Sequence, residues 1–426
     1  MQLPSLLLES LKGSNGFNKE TFEKVHASAE QITSIRTNPH KPIGGIPNSR
    51  SPIPWCSAGY YLNERPSFTF DPSFHAGCYY VQEASSMFLE QALKQTVDLT
   101  KPLKVLDLCA APGGKSTHIH SLISGDSLLV SNEVIRSRAN ILRDNIIKWG
   151  CNNVMVTNND PKDFARLENY FDVVVVDAPC SGSGLFRRDP EAIAEWSENN
   201  VQLCSQRQQR ILADVLPALK KDGILIYSTC SYSKEEDEDI CKWITDNFTM
   251  ENCKLKIEGE WGIIESEGGY RFWPDKVKGE GFFLSVFQKK GGADAASIRV
   301  RDKIEQASAK EIELIAKWVK KENRVFVKNG NTIYAWPERM QNDFDYLLRQ
   351  LHVIYSGVLI GELVREKLIP DHALAMSNIV SDLAVRVALN DEEAIFYLQR
   401  KDLQLAAAKK GWQMVTYNGN ALGWVN

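Results

Sequence analysis

The chain has 426 residues, of which 43% are apolar and 24% charged. This composition excludes a disordered, collagen-like or disulfide-stapled chain, and at ~100–200 residues per domain the length predicts two to four domains. With 50 basic and 54 acidic side chains, the net charge of −4 gives nucleic acid no global positive field to follow. Nine cysteines without CxxC pairs argue against a zinc ribbon or a disulfide framework, so we expect no bound metal. The chain has neither an apolar leader nor an apolar run of ~18 residues, so we expect a cytoplasmic protein without membrane contact.

Three segments follow one another along the chain. Residues 1–80 are turn-rich after a helical start, with prolines and glycines crowded between Pro39 and Pro54. Residues 81–290 alternate amphipathic stretches with short apolar runs, which predict an α/β fold with a parallel sheet covered by helices on both faces. The runs are Lys104–Leu108, Ser127–Ser131, Asn153–Val156, Asp172–Val176 and Gly223–Ser228.

A linker and a smaller α+β unit follow. The glycines within residues 291–304 interrupt the alternation, as a linker does. In residues 305–426 we predict a helix over Ala309–Lys321 and an extended run over Val353–Gly361. The dipeptide Asn329-Gly330 predicts a hairpin between Val325–Val327 and Thr332–Ala335.

The clearest candidate ligand site is the segment from Asp107 to Ser116. A predicted strand runs into small residues, including Gly113 and Gly114, and a helix then begins near Lys115. Glycines let a ligand approach the backbone, and a helix start offers free N–H groups. The pattern is not GxGxxG, which disfavours a dinucleotide. An adenosine-type ligand that carries a carboxylate suits both the loop and the helix start.

Acidic residues follow four successive predicted strands: Asp107, Glu133, Asp160 and Asp177. The carboxyl ends of parallel strands form the edge at which open α/β sheets bind ligands. An acid at the position of Glu133 binds ribose hydroxyls in many nucleotide-binding folds, and Asp160 would then face the base. A single acid at a strand end is usually a turn or helix cap, but four of them in register favour a ligand site.

Two cysteines, Cys180 and Cys230, follow the fourth and fifth predicted strands among Ser, Thr, Gly and Pro residues. A buried cysteine usually acts as a small hydrophobe, but these polar surroundings favour a reactive thiol. A thiolate needs a site that favours the anion, which Lys115 and nearby helix N-termini would supply.

Methylation of pyrimidine carbon 5 requires a nucleophilic thiolate of this kind. Addition of a thiolate at carbon 6 makes carbon 5 nucleophilic toward a methyl sulfonium, and Asp177 is placed to hold a proton near ring N3. A base then removes the carbon-5 proton, the thiolate leaves, and a second cysteine assists its release.

The segment from Ser233 to Glu236 reads as a capping box, which predicts a positive helix end just after Cys230. The rings of Tyr232 and Trp273 are candidates for stacking on a base, but the sequence leaves this open.

Several motifs resemble the NOL1/NOP2/Sun family of RNA cytosine-C5 methyltransferases. They are YYVQEASSM (79–87), DLCAAPGGKS (107–116), Asn-Glu at 132–133, Asp160, DAPCSGSG (177–184) and STCSYS (228–233). Longer phrases, SIRTNPHK (34–41), WCSAGYYL (55–62) and FDPSFHAGCYYVQEASSM (70–87), resemble the bacterial small-subunit rRNA methylases of the F type, as does DHALAMS (371–377) more weakly. In RFWPDK (271–276), Asp275 stands where the family commonly has histidine.

The resemblance implies a Rossmann-like S-adenosylmethionine-dependent methyltransferase fold with a mostly parallel seven-stranded sheet over residues 81–290. It also implies an N-terminal RNA-binding region over residues 1–80 and a C-terminal α+β PUA-like RNA-binding domain over residues 305–426. The implied cofactor is S-adenosylmethionine. The implied partner is RNA, with 16S rRNA favoured over tRNA, and the substrate is either naked RNA or the assembled small ribosomal subunit. We expect a monomer.

The family's functional residues fall on specific positions of this chain. Cys230 is the implied nucleophile and Cys180 assists product release, with Asp177 and Lys115 as the other catalytic residues. The implied cofactor contacts are Cys109, Ala110, Ala111, Pro112, Gly113, Gly114, Lys115, Glu133, Asp160 and Asp177.

Other functions make different predictions. A DNA cytosine-C5 methyltransferase would use Cys180 of the Pro-Cys pair as nucleophile, and the additional cysteine at position 230 argues against it. An N-methyltransferase is disfavoured because the fourth strand ends in DAPC rather than in an Asn/Asp-Pro-Pro-aromatic motif. A non-catalytic RNA-binding or ribosome-assembly factor would show decay of the catalytic residues, which the sequence does not show.

Overall fold

The structure is a computed structural model that describes residues 3–28, 30–43, 50–292, 304–403 and 410–426. Residues 293–303 of the predicted linker and residues 44–49 of the turn-rich segment lie outside the described ranges. The helices are α1 (Ser5–Ser10), α2 (Lys19–Ala27), α3 (Pro72–His75), α4 (Leu89–Thr96), α5 (Gly114–Leu122), α6 (Arg136–Trp149), α7 (Ala192–Glu195), α8 (Glu198–Val215), α9 (Glu238–Asn247), α10 (Ala309–Ile315), α11 (Gln341–Gln350), α12 (His372–Met376) and α13 (Asp391–Leu398).

The strands follow in chain order. They are β1 (Thr33–Thr37), β2 (Arg50–Pro52), β3 (Gly59–Leu62), β4 (Tyr79–Val81), β5 (Lys104–Asp107), β6 (Leu128–Asn132), β7 (Val154–Thr157), β8 (Phe171–Asp177), β9 (Leu219–Thr229), β10 (Met250–Asn252), β11 (Ile264–Ser266), β12 (Gly269–Phe272), β13 (Phe282–Lys289), β14 (Arg324–Asn329), β15 (Thr332–Pro337), β16 (Val353–Ser356), β17 (Val358–Val364), β18 (Lys367–Pro370), β19 (Arg386–Ala388), β20 (Gln413–Tyr417) and β21 (Asn420–Val425).

Five parallel strands form the centre of the largest sheet, in the order β9-β8-β5-β6-β7. They correspond to the five predicted apolar runs. Four agree with the prediction to within one residue at each end, and β9 begins four residues earlier, at Leu219 rather than Gly223. Both faces of these strands are covered, which is why their apolar residues run almost continuously rather than alternating.

The sheet is larger and more mixed than the expected seven mostly parallel strands. The described residues form ten strands in it, because the antiparallel strands β13, β12 and β11 extend the sheet beyond β9, and β10 pairs with β13. At the other edge β16, from the C-terminal region, pairs antiparallel with β7. The predicted run Val353–Gly361 therefore contributes to two sheets. It turns at Gly357, where φ is +59° and an added Cβ would lie 2.3 Å from the carbonyl oxygen of Ala335.

The C-terminal region holds two smaller sheets, β14-β15-β17-β18 and β19-β20-β21. The predicted hairpin is confirmed, since Asn329 pairs with Thr332 across Gly330, whose φ is +58°. The predicted helix over Ala309–Lys321 is shorter and ends at Ile315. It ends early because Val319 forms a β-bridge with Val380.

The N-terminal region forms an antiparallel sheet in the order β2-β3-β1-β4 and docks on α5. Arg36 of β1 is fully buried. Its guanidinium donates to Oε1 of Gln82 at 2.9 Å, to Oγ1 of Thr117 at 2.6 Å and to the carbonyl of Gly114 at 3.2 Å. The N-terminal sheet is thereby tied to the first turn of the helix that follows the candidate cofactor loop.

Within the described ranges, no helix is both long and apolar enough to cross a membrane.

Candidate active site

The loop between β5 and α5 is held close to its neighbouring strands by backbone hydrogen bonds. The N–H of Leu108 donates to the carbonyl of Val175 at 3.0 Å, and the N–H of Ala110 donates to that of Asn132 at 2.8 Å. Gly113 precedes α5 with φ +114°, and an added Cβ would lie 3.3 Å from Cδ1 of Leu142. Among the residues that the structure describes, no side chain caps this helix, so its first N–H groups remain available to a ligand.

Two side chains of α6 fix the carbonyls of the loop. Nη2 of Arg138 donates to the carbonyl of Ala111 at 2.9 Å, and Nδ2 of Asn145 donates to that of Pro112 at 2.8 Å. These contacts join positions that are far apart in sequence, and nothing in the local pattern predicts them.

The strand order places the four predicted acidic residues at one edge of the sheet. Oδ2 of Asp107 accepts a hydrogen bond from Oγ of Ser116 at 2.6 Å. Oε1 of Glu133 accepts from the N–H of Ile135 at 2.9 Å, and its Oε2 lies 3.4 Å from Nη1 of Arg138. Asp160 accepts from the N–H of Lys162 and so caps the turn that follows β7. The structure therefore shows Asp160 as a cap, the role that a single acid at a strand end usually has.

The buried carboxyl of Asp107 indicates that this edge suits a polar ligand. Its Oδ1 is buried and has no hydrogen-bond partner within the described part of the chain. Burial raises the pKa of Asp107 to about 7. An unsatisfied acceptor beside a free helix start fits a ligand that has both amino and carboxylate groups, as S-adenosylmethionine does.

The two predicted cysteines meet beyond neighbouring strands. Asp177 at the end of β8 is in register with Ser228 of β9, so the loops that follow run side by side. Sγ of Cys180 lies 3.0 Å from Sγ of Cys230, and both thiols are free and only partly exposed. The hydrogen bond to Cys230, together with burial, raises the pKa of the Cys180 thiol well above its ordinary value. Cys180 is therefore a neutral thiol near pH 7 and can donate to the sulfur of Cys230.

Lys115 and Asp177 complete this group. Nζ of Lys115 lies 2.7 Å from Oδ2 of Asp177, whose Oδ1 accepts from Oγ of Ser228 at 2.8 Å. Burial opposes the charge of Lys115, but Asp177 and the other negative groups nearby, Asp107 among them, together outweigh it and raise the lysine pKa. The ammonium of Lys115 also lies 5.2 Å from the centroid of the Phe282 ring. The structure thus brings together the four side chains predicted to be catalytic.

The predicted capping box is wrong. The side chain of Ser233 makes no cap, residues Lys234–Glu236 form a 3-10 turn, and α9 begins only at Glu238. The carboxylate of Glu236 instead binds Ser181 and Ser231. The positive helix end expected just after Cys230 therefore lies farther along the chain. The sequence pattern missed this because the partners of Glu236 come partly from another strand end.

The rings left open as base-stacking candidates pack on each other. Tyr232 and Trp273 are buried and stack with centroids 5.3 Å apart and an interplanar angle of 8°. Phe22 of α2 packs edge-on against both. Asp275, at the position where the resembled family commonly has histidine, accepts from Oγ1 of Thr21 at 2.5 Å. This loop therefore anchors α2 next to the loop of Cys230.

Comparison with known families gives matches along most of the chain. Residues 94–288 match the family described as 16S rRNA methyltransferase RsmB/F, and residues 3–84 match the N-terminal domain of 16S rRNA methyltransferase RsmF. Residues 309–377 match the first C-terminal domain of RsmF rRNA methyltransferase, and residues 384–426 match the RsmF PUA domain. The four matches occur in the order in which the three predicted segments follow one another.

Individual relatives agree with these matches. The chain is 29% identical over 395 residues to ribosomal RNA small subunit methyltransferase F of Shewanella piezotolerans, covering 88% of this chain and 82% of the relative. It is 38% identical over 245 residues to the protein of the same name from Psychromonas ingrahamii, covering 56% of this chain and 51% of the relative.

Solved structures show the same fold. A methyltransferase homolog from Pyrococcus horikoshii is 27% identical with a TM-score of 0.57, covering 67% of this chain and 95% of that one. NSun6 from Pyrococcus horikoshii, solved with SFG, is 19% identical with a TM-score of 0.57, covering 68% of this chain and 99% of that one. The fold is that of S-adenosylmethionine-dependent methyltransferases, with central parallel strands and a PUA domain. The chain belongs to the RsmB/F family of 16S rRNA methyltransferases.

Proposed function

We propose that this protein transfers a methyl group from S-adenosylmethionine to carbon 5 of a cytosine in 16S rRNA, and that Cys230 is the nucleophile. The observation that carries the proposal is the 3.0 Å contact between the sulfurs of Cys180 and Cys230 beside the Lys115–Asp177 ion pair. Carbon 5 of cytosine is a poor nucleophile, so its methylation needs a thiol that adds to carbon 6, and a second thiol can assist the release of the first.

The cofactor would be held by the loop and by the acidic edge. Cys109, Ala110, Ala111, Pro112 and Gly113 form the loop, and Gly114 and Lys115 are the first two residues of the helix after it. Glu133 would accept hydrogen bonds from ribose hydroxyls, and Asp160 would face the base. When bound, S-adenosylmethionine supplies an electrophilic methyl group beside the target carbon.

The side chains of this protein would divide the work on the cytosine. The thiolate of Cys230 adds to carbon 6, and the electron pair of the C5–C6 double bond becomes available at carbon 5. Asp177 holds a proton at ring N3, and Lys115 stabilises the negative charges nearby. After methylation a base removes the carbon-5 proton, the C6–S bond breaks and the electron pair returns to the sulfur. The neutral Cys180 thiol donates to that sulfur and so stabilises it as the leaving thiolate.

The remaining regions would bind the RNA. Residues 1–80 and 305–426 would position the RNA by contacts to phosphates and shape, and residues 291–304 would link the second of these regions to the methyltransferase domain. The target cytosine must leave its stack, at a cost of a few kcal/mol that is smallest in loops and junctions. We propose a cytoplasmic monomer whose substrate is 16S rRNA, either naked or within the assembled small ribosomal subunit.

Bisulfite sequencing of total RNA with and without the gene tests this function. We expect a methylcytosine of 16S rRNA to disappear without the gene and to return with the wild-type gene but not with Cys230→Ala. Loss of a mark in tRNA with rRNA unchanged would contradict the proposed substrate. An unchanged methylcytosine pattern, with no S-adenosylmethionine binding in calorimetry, would indicate a non-catalytic assembly factor instead.

A further inference from the structure

A buried carboxylate joins the two loops that carry the cysteines. The side chain of Glu236 is fully buried in the 3-10 turn before α9. Its Oε1 accepts from the N–H of Ser181 at 2.7 Å, and its Oε2 accepts from Oγ of Ser181 at 2.5 Å and from Oγ of Ser231 at 2.6 Å. Ser181 directly follows Cys180 and Ser231 directly follows Cys230, so one carboxylate holds the residue next to each thiol.

Further contacts make this junction rigid. Nε2 of Gln208, on α8, donates to Oε1 of Glu236 at 3.3 Å and to the carbonyl of Pro179 at 3.0 Å. The Tyr227 hydroxyl donates to the backbone carbonyl of Glu236 at 2.7 Å. The hydroxyls of Ser181 and Ser231 also lie 3.3 Å apart. Glu236 therefore connects α8, the end of β8 and the end of β9 at one point.

Burying a carboxylate costs free energy, because burial disfavours its charged form. Burial raises the pKa of the Glu236 carboxyl even though hydrogen bonds from Ser181, Ser231 and Gln208 favour the anion. The described hydrogen bonds of this side chain all go to groups around the two cysteine loops rather than to a lysine or arginine. A neutral or apolar residue would fill the space at lower cost, so the arrangement favours a role in geometry.

We propose that Glu236 is a positioning residue for methyl transfer, which fixes the Cys180 and Cys230 loops relative to each other so that the two sulfurs stay in contact. This inference rests on the proposed function, because it assigns the fixed sulfur pair to the addition and release of cytosine. The described hydrogen bonds of the Glu236 side chain go to Ser181, Ser231 and Gln208 and not to either sulfur, although its charge helps to raise the pKa of the Cys180 thiol. A displacement of about 1 Å at a reacting group costs on the order of 10²-fold in rate, so loss of the junction slows the chemistry without weakening binding.

The test compares Glu236→Gln with Glu235→Gln, whose side chain is next in sequence but lies outside the junction. The amide of glutamine keeps the size of the side chain but cannot accept hydrogen bonds through both terminal atoms, so the Ser181 and Ser231 contacts are not all kept. Each full-length variant is mixed with S-adenosylmethionine and small-subunit rRNA transcripts that contain 5-azacytidine. Ring position 5 of that base is a nitrogen without a proton to eliminate, so the covalent complex accumulates and its rate of formation is measured on gels.

For Glu236→Gln we expect complex formation and kcat to fall at least ~10-fold, with KM for RNA and calorimetric affinity for S-adenosylmethionine within about twofold of wild type. Glu235→Gln should match wild type in all of these. A wild-type rate for Glu236→Gln would overturn the inference, as would a rate loss that is fully explained by weaker RNA or cofactor binding.

Two further variants cover the case in which Glu236→Gln does not fold. Ser181→Ala and Ser231→Ala each remove one hydroxyl contact to Glu236, and we expect each to slow complex formation, with the double variant slower by less than the product of the two effects. Wild-type rates in both would overturn the inference. If wild-type protein forms no covalent complex at all, the proposed function itself fails, which is distinguishable from a failure of the Glu236 role.

Discussion

Four side chains meet beside the carboxyl ends of three strands, and we propose that they carry the chemistry of the site: Lys115, Asp177, Cys180 and Cys230. Each of these side chains influences the charge or protonation of a neighbour. The carboxylate of Asp177 keeps Lys115 charged in spite of burial, and the raised pKa of Cys180 keeps a proton available for the sulfur of Cys230. This mutual dependence means that single substitutions should affect the rate of reaction more than the binding of either substrate.

Replacing Asp177 with asparagine tests that dependence. Asp177→Asn removes the partner of Lys115 and the carboxyl proposed to hold a proton at ring N3. We expect kcat to fall by about 10²–10⁴-fold, the usual contribution of a positioned acid or base. Steady-state methylation of small-subunit rRNA measures this, and a loss smaller than about fivefold would count against a catalytic role for Asp177.

Gly113 provides a test of the cofactor loop. Gly113→Ala forces a side chain into φ +114° and against Leu142, which should destabilise the fold by about 1–3 kcal/mol and weaken S-adenosylmethionine binding. Gly125→Ala is the matched control, because nothing lies within 4 Å of the added Cβ. Thermal unfolding and calorimetry with S-adenosylmethionine follow both effects. Equal cofactor affinity in the two variants would show that the loop does not contact the ligand.

The residue types at strand ends made many residues of this candidate site predictable. The contacts that hold those residues in place were not predictable. The cysteines and acids could be chosen because polar or reactive residues directly follow apolar strands. The roles of Glu236, Asn145 and Arg138 depend on partners brought close only by the fold. The local pattern predicts a helix cap at Glu236, but its carboxylate instead binds Ser231 and Ser181, the second of which lies 55 residues away in sequence.

At the scale of elements, α2 links the N-terminal region to the loop of Cys230. Phe22 packs against Tyr232 and Trp273, and Thr21 binds Asp275. His26 lies on the same helix, with its Nδ1 2.8 Å from the carbonyl of Phe22 and its ring near Tyr232. The helix therefore packs against the residues that follow Cys230, and its docking should influence how the Cys230 loop is held.

The buried imidazole of His26 makes this docking depend on pH. Burial lowers the pKa of His26 from 6.5 to about 4; the hydrogen bond to Phe22 and the charge of Asp275 oppose this shift, while that of Arg187 adds to it. The native state thus binds fewer protons than the unfolded state between these values, so stability falls as pH decreases from 6.5 to 4. The expected loss is about 3 kcal/mol, from about 1.4 kcal/mol per pKa unit.

The measurement is the difference in unfolding free energy between wild type and His26→Phe across this pH range. His26→Phe keeps an aromatic ring but cannot be protonated, so other titrating groups largely cancel in the difference. We expect wild type to lose stability relative to the variant as pH decreases from 6.5 to 4. A constant difference would mean that His26 titrates normally in the folded protein.

The strands differ in how far their sequences predict them. The five central strands were predictable because burial on both faces requires continuous apolar runs. The short strands β10, β11 and β12 were not, since three or four residues carry too little pattern, β10 and β12 pair with β13, and β11 pairs with β12. The run Val353–Gly361 looked like one strand, and only the turn at Gly357 divides it between two sheets.

At the scale of the whole molecule, the C-terminal region contributes an edge strand to the largest sheet. Strand β16 pairs with β7, and Trp336, Phe344 and Leu347 share a hydrophobic core with residues of the central strands such as Leu106 and Val174. Residues on both sides of the predicted linker at 291–304 therefore belong to one hydrophobic core. A rigid connection of this kind would hold RNA-binding surfaces at a fixed distance from the thiols.

Trp336 tests this continuity. Trp336→Ala removes a fully buried ring that packs on Phe344, with centroids 5.1 Å apart, and should cost about 3–5 kcal/mol of unfolding free energy. Amide exchange should also become faster in β7, although that strand lies outside the C-terminal region. Leu383→Ala, at a side chain that is 76% exposed, is the control. Unchanged exchange in β7 would mean that the two regions unfold independently.

The central claim is that Cys230 bonds to the target cytosine, and mapping the covalent complex tests it most directly. Wild-type protein is trapped on small-subunit rRNA containing 5-azacytidine, digested with protease and nuclease, and analysed by mass spectrometry. We expect the nucleotide on the peptide that contains Cys230, no complex with Cys230→Ala, and accumulation of complex on ordinary RNA with Cys180→Ala. A nucleotide attached to Cys180, or a complex that persists in Cys230→Ala, would contradict the account.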